Sequence, residues 1–478
     1  MLKRTRTILF LICLFLFFLI APLIILYSQG YRIDLESKKI IRTGGFYFKV
    51  WPEGAQIFLD GKLKKKTNFL SNNVYLDNLL PKEYKVEIKK EGFCTWQKNL
   101  EIKENLVSEF NNIILIPENT KYENLAQNIE SFFFSPDGKK IVLKENDATG
   151  WNLKIIELDK NLKSNLFSGF PSIEIEFLDL KFSQDSKRIL LSTKEKEKVD
   201  YWILELQSPI QEKTPADLIS LNFLGIKAND ISFNPGDPQR IFFTKELLEE
   251  NDLFEADFIK KEVGLKPIIK NLVTYELSEG NIFWISKNGF LSKTNFTGEI
   301  EERLNFEPFP IKERKKYQIF IRLPFIFLKE DGTLYILNPE SRVSEKLSDS
   351  SIGEKFSPDW RKMVYFNNYE IWVLFLEKNE DQPKRELLER QFLTRSSEKI
   401  DQVLWLDSNY VVFNIGKKVK ISEIDDRDKI NFCDFGEFPA LGGSALGGNS
   451  PEIFFNQFDK KLYILSEENL FSSEKLLP

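Results

Sequence analysis

The feature that most constrains the fold is a repeated unit of two strands joined by a short polar turn. Each clear copy has a hydrophobic strand, a turn that begins with Ser or Asn, and a second strand that usually follows a basic residue; the copies are 132–143, 180–191, 231–243 and 354–366. The phenylalanines before the first three turns, Phe134, Phe182 and Phe233, are 48 and 51 residues apart. A repeat of about fifty residues suits a four-stranded blade, so the sequence predicts a β-propeller.

Weaker copies of the same unit fill the rest of the chain. They lie in segments 273–295, 325–338, 400–415 and 451–466, which brings the number of candidate blades to eight. Seven blades remain an alternative, because no obvious fourth strand follows the last copy unless segment 122–129 supplies it. A closed ring hides the edges of strands rich in Phe and Ile, which would otherwise promote aggregation. We therefore predict an all-β propeller over residues 128–478 with seven or eight blades.

A long apolar segment near the N-terminus predicts a membrane anchor. Residues 1–7 form a basic tail, and the twenty residues 8–27 carry no charge. As a helix, twenty residues span roughly 30 Å, the thickness of the hydrocarbon layer of a bilayer. The basic tail favours a cytoplasmic N-terminus, so we expect a single-pass plasma-membrane protein whose bulk is extracytoplasmic. A cleaved signal peptide is the alternative, because Ser, Gln and Gly at 28–30 provide small residues for cleavage.

Residues 44–117 predict a small β-sandwich. Apolar and polar side chains alternate in short runs, for example at Phe46, Phe48 and Val50, and turn signals such as Asp60-Gly61 separate the runs. Alternation of this kind is typical of strands with one buried face.

Four motifs in this segment, in the same order, resemble the PEGA domain. They are Pro52-Glu53-Gly54-Ala55, Ile57-Phe58-Leu59-Asp60-Gly61, Leu80-Pro81-Lys82-Glu83-Tyr84, and Gly92-Phe93 followed by Trp96. The sequence departs from the family at Lys82-Glu83, where a Gly usually precedes the Tyr, and at 64–68, where a Gly-x-Thr-Pro turn is common. The resemblance implies a sandwich with structural roles for the motif residues.

The second half of the chain also has a family resemblance. Its Ser-Pro-Asp-Gly type of turn is similar to the propeller repeats of Tol-system proteins and of WD-like domains. The order of anchor, PEGA-type unit and propeller resembles uncharacterised exported bacterial proteins. This resemblance implies a place in the cell envelope and no known activity.

Composition argues against several classes of function. The 67 basic and 72 acidic residues are mixed along the chain, so we expect no nucleic-acid partner. The chain has no His, which removes the commonest general base and imidazole metal ligand. Its three cysteines are Cys13, Cys94 and Cys433. We expect buried free thiols, because a bridge between Cys94 and Cys433 would have to join two domains; that bridge is the less favoured alternative.

Three segments are weighed as binding sites. Asp425 to Asp428 offers carboxylates to a hard cation but lacks the spacing of a calcium loop, and we interpret it as a solvated turn. The Gly-rich segment 441–449 has no phosphate-binding signature and is interpreted as a flexible loop. Lys62, Lys64, Lys65 and Lys66 are interpreted as a solvated hairpin, with an anionic polymer or lipid headgroups as the alternative. The sequence thus predicts no catalytic, cofactor-binding or metal-binding residue and leaves binding residues unassigned.

These observations predict a non-enzymatic, membrane-anchored binding or scaffold protein. Loops at one face of a propeller commonly form a binding surface on a fixed scaffold. We therefore expect the propeller face to engage a protein or a cell-envelope polymer. One alternative is a structural envelope component without a discrete ligand. Another is an enzyme with its site in the propeller channel, for which the sequence offers no nucleophile, base or metal set. The sequence does not determine the oligomeric state.

Overall fold

The computed structural model describes residues 3–34, 39–68, 72–147, 150–170, 174–207, 209–247, 250–439 and 450–478. Helix α1 (Lys3–Ser28) comes first, and a hairpin of β1 (Tyr31–Asp34) and β2 (Lys39–Arg42) follows it. Within residues 5–28 of α1, an 18-residue window has a mean hydropathy of 3.3 and contains no buried residue. The length and composition of α1 fit a membrane-spanning helix, and equally the apolar core of a signal sequence.

Two sheets enclose the first hydrophobic core, and we call them the two-sheet unit. Its strands are β3 (Gly44–Trp51), β4 (Gln56–Leu59), β5 (Lys62–Lys66), β6 (Asn73–Leu79), β7 (Glu83–Lys89), β8 (Trp96–Glu101) and β9 (Val107–Ile114). One sheet has the order β6-β3-β9 and the other β5-β4-β7-β8, so β8 and β9 are edge strands. Phe46, Phe48 and Val50 of β3 are buried in the shared core, while Lys49 faces solvent.

The remaining strands form a β-propeller of four-stranded antiparallel sheets, of which the described residues contain eight. Seven sheets are consecutive in the chain: β11 (Ile129–Phe134), β12 (Lys140–Asp147), β13 (Gly150–Glu157), β14 (Leu162–Phe167); β15 (Ile175–Phe182), β16 (Arg188–Glu195), β17 (Lys198–Glu205), β18 (Ile219–Ser220); β19 (Ala228–Phe233), β20 (Arg240–Leu247), β21 (Glu250–Asp257), β22 (Glu262–Val263); β23 (Leu272–Ser278), β24 (Asn281–Ser286), β25 (Leu291–Asn295), β26 (Glu301–Arg303); β27 (Tyr317–Arg322), β28 (Phe325–Glu330), β29 (Thr333–Leu337), β30 (Ser344–Ser348); β31 (Gly353–Phe356), β32 (Lys362–Phe366), β33 (Glu370–Phe375), β34 (Arg390–Arg395); and β35 (Ile400–Trp405), β36 (Tyr410–Ile415), β37 (Lys418–Glu423), β38 (Phe432–Glu437). Two short 3-10 helices, Pro215–Asp217 and Asn222–Leu224, flank β18.

The last sheet closes the ring with a strand from far earlier in the chain. It has the order β10-β41-β40-β39, made of β39 (Glu452–Asn456), β40 (Lys461–Ser466), β41 (Asn469–Ser473) and β10 (Tyr122–Gln127). The rings of Phe134 on β11 and Phe454 on β39 stack with centroids 4.0 Å apart, which joins the first sheet to the last. Strand β10 lies just before residue 128, where the sequence analysis begins the propeller, and it provides the fourth strand that segment 451–466 lacks.

The repeated turn is held by one serine hydroxyl in each clear Ser-containing copy. Ser357 Oγ donates a hydrogen bond to Asp359 Oδ1 at 2.5 Å and accepts one from Lys362 N at 2.9 Å. The same two bonds recur at Ser135 and Ser183. Turn residues of this kind satisfy backbone groups that neither strand can reach, which is why the motif recurs wherever a first strand reverses into a second.

Turns of neighbouring sheets also bond to each other. Asp137 N donates to Ser186 Oγ, and Asp359 N donates to Ser408 Oγ, both at 3.2 Å. At the ring closure Asn456 Nδ2 donates to Gly138 O at 2.9 Å. Gly138 has a φ of 69°, and a Cβ there would lie 2.4 Å from Asn456 Oδ1, so the Asp-Gly turn needs its glycine. The turns therefore bind the sheets together at one face of the propeller.

Candidate functional site

A cleft of about 250 Å³ lies between the two-sheet unit and the propeller. One wall is the C-terminal half of β9, from Phe110 to Ile113. Most of the other wall comes from two propeller loops, 376–389 between β33 and β34 and 424–431 between β37 and β38, and the turns that carry Asp359 and Asn409 complete it. Clefts between two folded bodies are frequent places for ligands, since both bodies contribute side chains.

The edge strand β8 is capped by loop 424–431. Gln97 N donates to Asn431 Oδ1 at 3.1 Å, and Asn99 N donates to Asp428 Oδ2 at 2.6 Å. Between them, Lys98 Nζ donates to the carbonyl oxygen of Asp425 at 2.7 Å. An edge strand otherwise exposes a row of unpaired N–H groups to solvent or to another chain. The loop therefore replaces the missing neighbour strand with side chains.

The edge of β9 is capped in the same way by loop 376–389. The carboxamide of Gln382 accepts from Glu109 N and donates to Val107 O, both at 3.0 Å. Arg427 Nη1 donates to Glu109 O at 2.7 Å, and its guanidinium lies 3.6 Å from the ring centroid of Phe110. These bonds fix the wall of the cleft that β9 forms.

A buried ion pair joins the two bodies beneath the cleft. Lys98 Nζ lies 2.9 Å from Glu423 Oε1, and their side chains are 0% and 4% exposed. Trp96 Nε1 donates to Glu423 Oε2 at 2.9 Å, and Asn431 Nδ2 donates to Glu423 Oε1 at 2.7 Å. Burial raises the pKa of Glu423, and the charge and hydrogen bond of Lys98 offset only part of that rise. Every oxygen of this carboxylate has a partner, as a buried charge requires.

A disulfide also connects the two bodies, and here the expectation of free thiols at Cys94 and Cys433 is wrong. The two sulfur atoms are bonded, with the Cα atoms 5.9 Å apart at a sequence separation of 339 residues. Packing of the two-sheet unit against the sheet β35–β38 brings the cysteines together, and Cys433 shares a hydrophobic cluster with Ile114 and Tyr410. Cys13 in α1 is a free cysteine.

The interpretation of Asp425 to Asp428 as a solvated turn is correct for Asp428, which is exposed, and incomplete for the partly buried Asp425 and Asp426. It is a turn between two strands, but its side chains hold the two-sheet unit and the cleft. Burial raises the pKa of Asp425, but the hydrogen bonds and charge of Arg427 together with the charge of Lys98 outweigh burial, and the pKa ends below its usual value. Asp426 pairs with Arg385 of the facing loop. Among the described residues no group of three His, Cys, Asp or Glu side chains could hold a metal ion.

Arg385 is the one cleft cation with an unused buried donor. Its Nη1 donates to Glu389 at 2.7 Å and its Nη2 pairs with Asp426, whereas its Nε has no hydrogen-bond partner among the described residues. The residue is only 9% exposed. A buried donor without a partner costs free energy, so the bonding of Arg385 within the cleft wall is incomplete.

Other segments weighed from sequence lie away from the cleft. Lys62, Lys64, Lys65 and Lys66 lie on β5, an exposed edge strand on the side of its sheet opposite β8. The Gly-rich segment 441–449 lies outside the described residues.

Two carboxyl groups on innermost propeller strands were not signalled by any motif. Burial raises the pKa of Glu452 on β39 to about 7 and raises the pKa of Glu276 on β23. These strands belong to the eighth and fourth sheets, so the two carboxyl groups do not form a pair.

No known protein family matches the sequence, and no curated protein matches it. The resemblance to the PEGA domain therefore stays a prediction. Solved structures similar to this chain include Sqt1 from Saccharomyces cerevisiae (10% identity, 76% of this chain and 100% of that chain, TM-score 0.46), the Dos1 propeller (12%, 74% and 94%, 0.44) and oligogalacturonate lyase from Vibrio parahaemolyticus (12%, 74% and 97%, 0.40). The propeller assignment rests on the strand pairing of this chain itself.

Proposed function

We propose that the protein is a membrane-anchored extracytoplasmic scaffold that holds a binding site outside the plasma membrane. Residues 8–27 anchor it, with the N-terminus in the cytoplasm. Residues 44–117 form a PEGA-type sandwich, and residues 128–478 together with β10 form an eight-bladed propeller. The partner is a protein or a cell-envelope polymer, and it binds in the cleft between sandwich and propeller.

The disulfide between Cys94 and Cys433 is the observation that carries this proposal. Structural disulfides form and persist in oxidising compartments outside the cytoplasm. The apolar helix α1 precedes the disulfide-linked body and packs against none of it, which supports a place for α1 in a bilayer.

Fixed cleft walls support a binding role. The walls are joined by the disulfide, the Lys98–Glu423 ion pair and the caps on both edge strands. A site whose walls are fixed before binding loses little conformational entropy when a ligand enters. The scaffold therefore favours a preformed site over one that assembles around its partner.

The chemistry of the cleft supports recognition by hydrogen bonds rather than by net charge. Arg427 is paired with Asp425, and Arg385 is paired with Glu389 and Asp426. Because these charges cancel locally, a strongly charged ligand gains little. The exposed amide of Asn112 in the cleft lining suits a carbonyl or hydroxyl oxygen, which an extended peptide or an envelope polymer supplies.

Site-specific photocrosslinking in cells tests the proposal. The photoreactive residue p-benzoylphenylalanine replaces Asn112, an exposed cleft residue, in the full-length chain. The matched control carries the same replacement at Asn165, exposed on the outer strand β14. We expect an adduct from position 112 that is absent at 165 and that Arg385→Met weakens. Absence of an adduct at 112, or the same adducts at both positions, would contradict a binding site in this cleft.

A further inference from the structure

The hairpin that follows α1 exposes an apolar pair. Strands β1 and β2 are antiparallel, with Ile33 directly opposite Ile40. Their side chains are 61% and 54% exposed, and no third strand pairs with the hairpin in the described part of the chain. A two-stranded hairpin is only marginally stable in water on its own, so it needs another surface to rest against.

The hairpin is held to the end of α1. The guanidinium of Arg32 lies 3.5 Å from the ring centroid of Tyr27, and Arg32 Nη1 donates to Tyr27 O at 2.7 Å. Thr43 N, just after β2, donates to Gly30 O at 3.0 Å. These contacts leave little freedom between the last turn of the helix and the hairpin.

The hairpin is also held to the two-sheet unit. Arg32 Nη2 donates to Asn78 Oδ1 at 2.6 Å, and Asn105 N donates to Thr43 O at 3.2 Å. Leu106, the next residue, is 56% exposed. Asn78 and Leu106 therefore lie at the end of the two-sheet unit that is next to the hairpin and to the C-terminal end of α1.

The position of α1 in a bilayer fixes what surrounds this hairpin. The uncharged run 8–27 matches the thickness of the hydrocarbon layer, so the last turn of α1, which ends at Ser28, lies at the interface. Tyr27 and Tyr31 are residues that settle at headgroup level, each with an Arg beside its ring. Ile33 follows the helix end by five residues, which span at most about 18 Å when fully extended.

We propose that the hairpin lies in the headgroup layer of the outer leaflet, with the Ile33–Ile40 pair and Leu106 facing lipid. The partner of this surface is the same bilayer that α1 spans, so the inference rests on the proposed anchoring. Apolar side chains at the boundary of headgroups and acyl chains lose their contact with water, which stabilises the hairpin there. The contact sets the orientation of the two-sheet unit and the propeller relative to the membrane.

Spin labels on the full-length protein in phosphatidylcholine–phosphatidylglycerol nanodiscs test this inference. Cys13→Ser removes the free thiol, and single labels are attached at Ile33→Cys, at Ile40→Cys and, as matched control, at Ile259→Cys, an exposed Ile after β21. Leu16→Cys in the middle of α1 reports separately on anchoring. The measurement compares collision of each label with oxygen, which enters lipid, and with a water-soluble nickel complex, which does not.

The inference predicts that labels at 33 and 40 favour oxygen over nickel, as at 16, while the label at 259 favours nickel. Oxygen preference at 16 with nickel preference at 33 and 40 would overturn the surface contact and leave the anchor intact. Nickel preference at 16 as well would overturn the anchor and the contact together. If the labels at 33 and 40 give the same preference, a local effect of one substitution does not explain the result.

Discussion

Lys98 Nζ and Glu423 Oε1 lie 2.9 Å apart in a contact that joins the two-sheet unit to the propeller and is closed to solvent. The pair is surrounded by hydrogen bonds from Trp96 and Asn431. A buried ion pair contributes little net stability over an apolar pair, but it penalises any arrangement that separates its members. It therefore specifies how the two bodies dock.

Lys98→Met tests the ion pair by leaving the carboxylate of Glu423 buried without its cation. Removal of one member of a buried pair costs about 3–5 kcal/mol of unfolding free energy. Urea denaturation at neutral pH measures the loss. The control is Lys82→Met, which removes an exposed pair with Asp60 and is expected to cost almost nothing. Equal effects of the two substitutions would show that the buried pair does not hold the docking.

The disulfide predicts the number of reactive thiols. Of the three cysteines, Cys13 alone is free. Denatured protein treated with a maleimide-linked polymer should gain one polymer chain before reduction and three after it, read as steps on a gel. Cys433→Ser should raise the count before reduction to two, because Cys94 loses its partner. Three additions to unreduced wild-type protein would contradict the bond.

The raised pKa of Glu452 predicts that the free energy of unfolding decreases as pH rises. Burial raises its pKa from 4.5 to about 7, so the folded protein binds this proton more tightly than the unfolded chain. This contribution is fully present below pH 4.5 and is lost as pH rises to about 7, in total about 3 kcal/mol. Glu452→Gln should remove this part of the pH dependence in urea titrations at pH 5 and pH 8. Glu437→Gln, an exposed control, should leave it unchanged.

Ser357→Ala tests the hydroxyl that holds the repeated turn. The hydroxyl bridges Asp359 Oδ1 and Lys362 N, and both groups lose a partner when it is removed. Loss of such a bridging hydroxyl costs about 1–2 kcal/mol. Ser341→Ala, in an exposed turn, is the control. Thermal unfolding that shifts equally for both variants would argue against a special role of the repeated serine.

The propeller could be predicted from the sequence because each repeat carries its own local signals. The bonds of Ser135, Ser183 and Ser357 lie within six residues, so residue spacing alone reveals the turn. The apolar helix could be predicted for the same reason. The closing strand β10 could only be suggested, since it pairs with β41 more than 300 residues later.

The cleft could not be predicted, because its parts are ordinary residues brought together only by docking. Gln382 has no local feature that distinguishes it from a solvated glutamine, yet it caps Glu109 from 273 residues away. The cysteines were misjudged for the same reason, since a separation of 339 residues gives no indication of distance in space. The bond that Asp428 accepts from Asn99 could not be predicted either, because β8 lies in another part of the sequence.

Compartment labelling tests the central claim, that the body following α1 lies outside the plasma membrane. The full-length chain with Cys13→Ser carries one added cysteine, either Asn165→Cys on β14 or Thr5→Cys before the apolar run. Intact spheroplasts are treated with a membrane-impermeant maleimide before and after lysis. The account predicts that position 165 is labelled in intact spheroplasts and position 5 only after lysis. Labelling of position 165 only after lysis would contradict it.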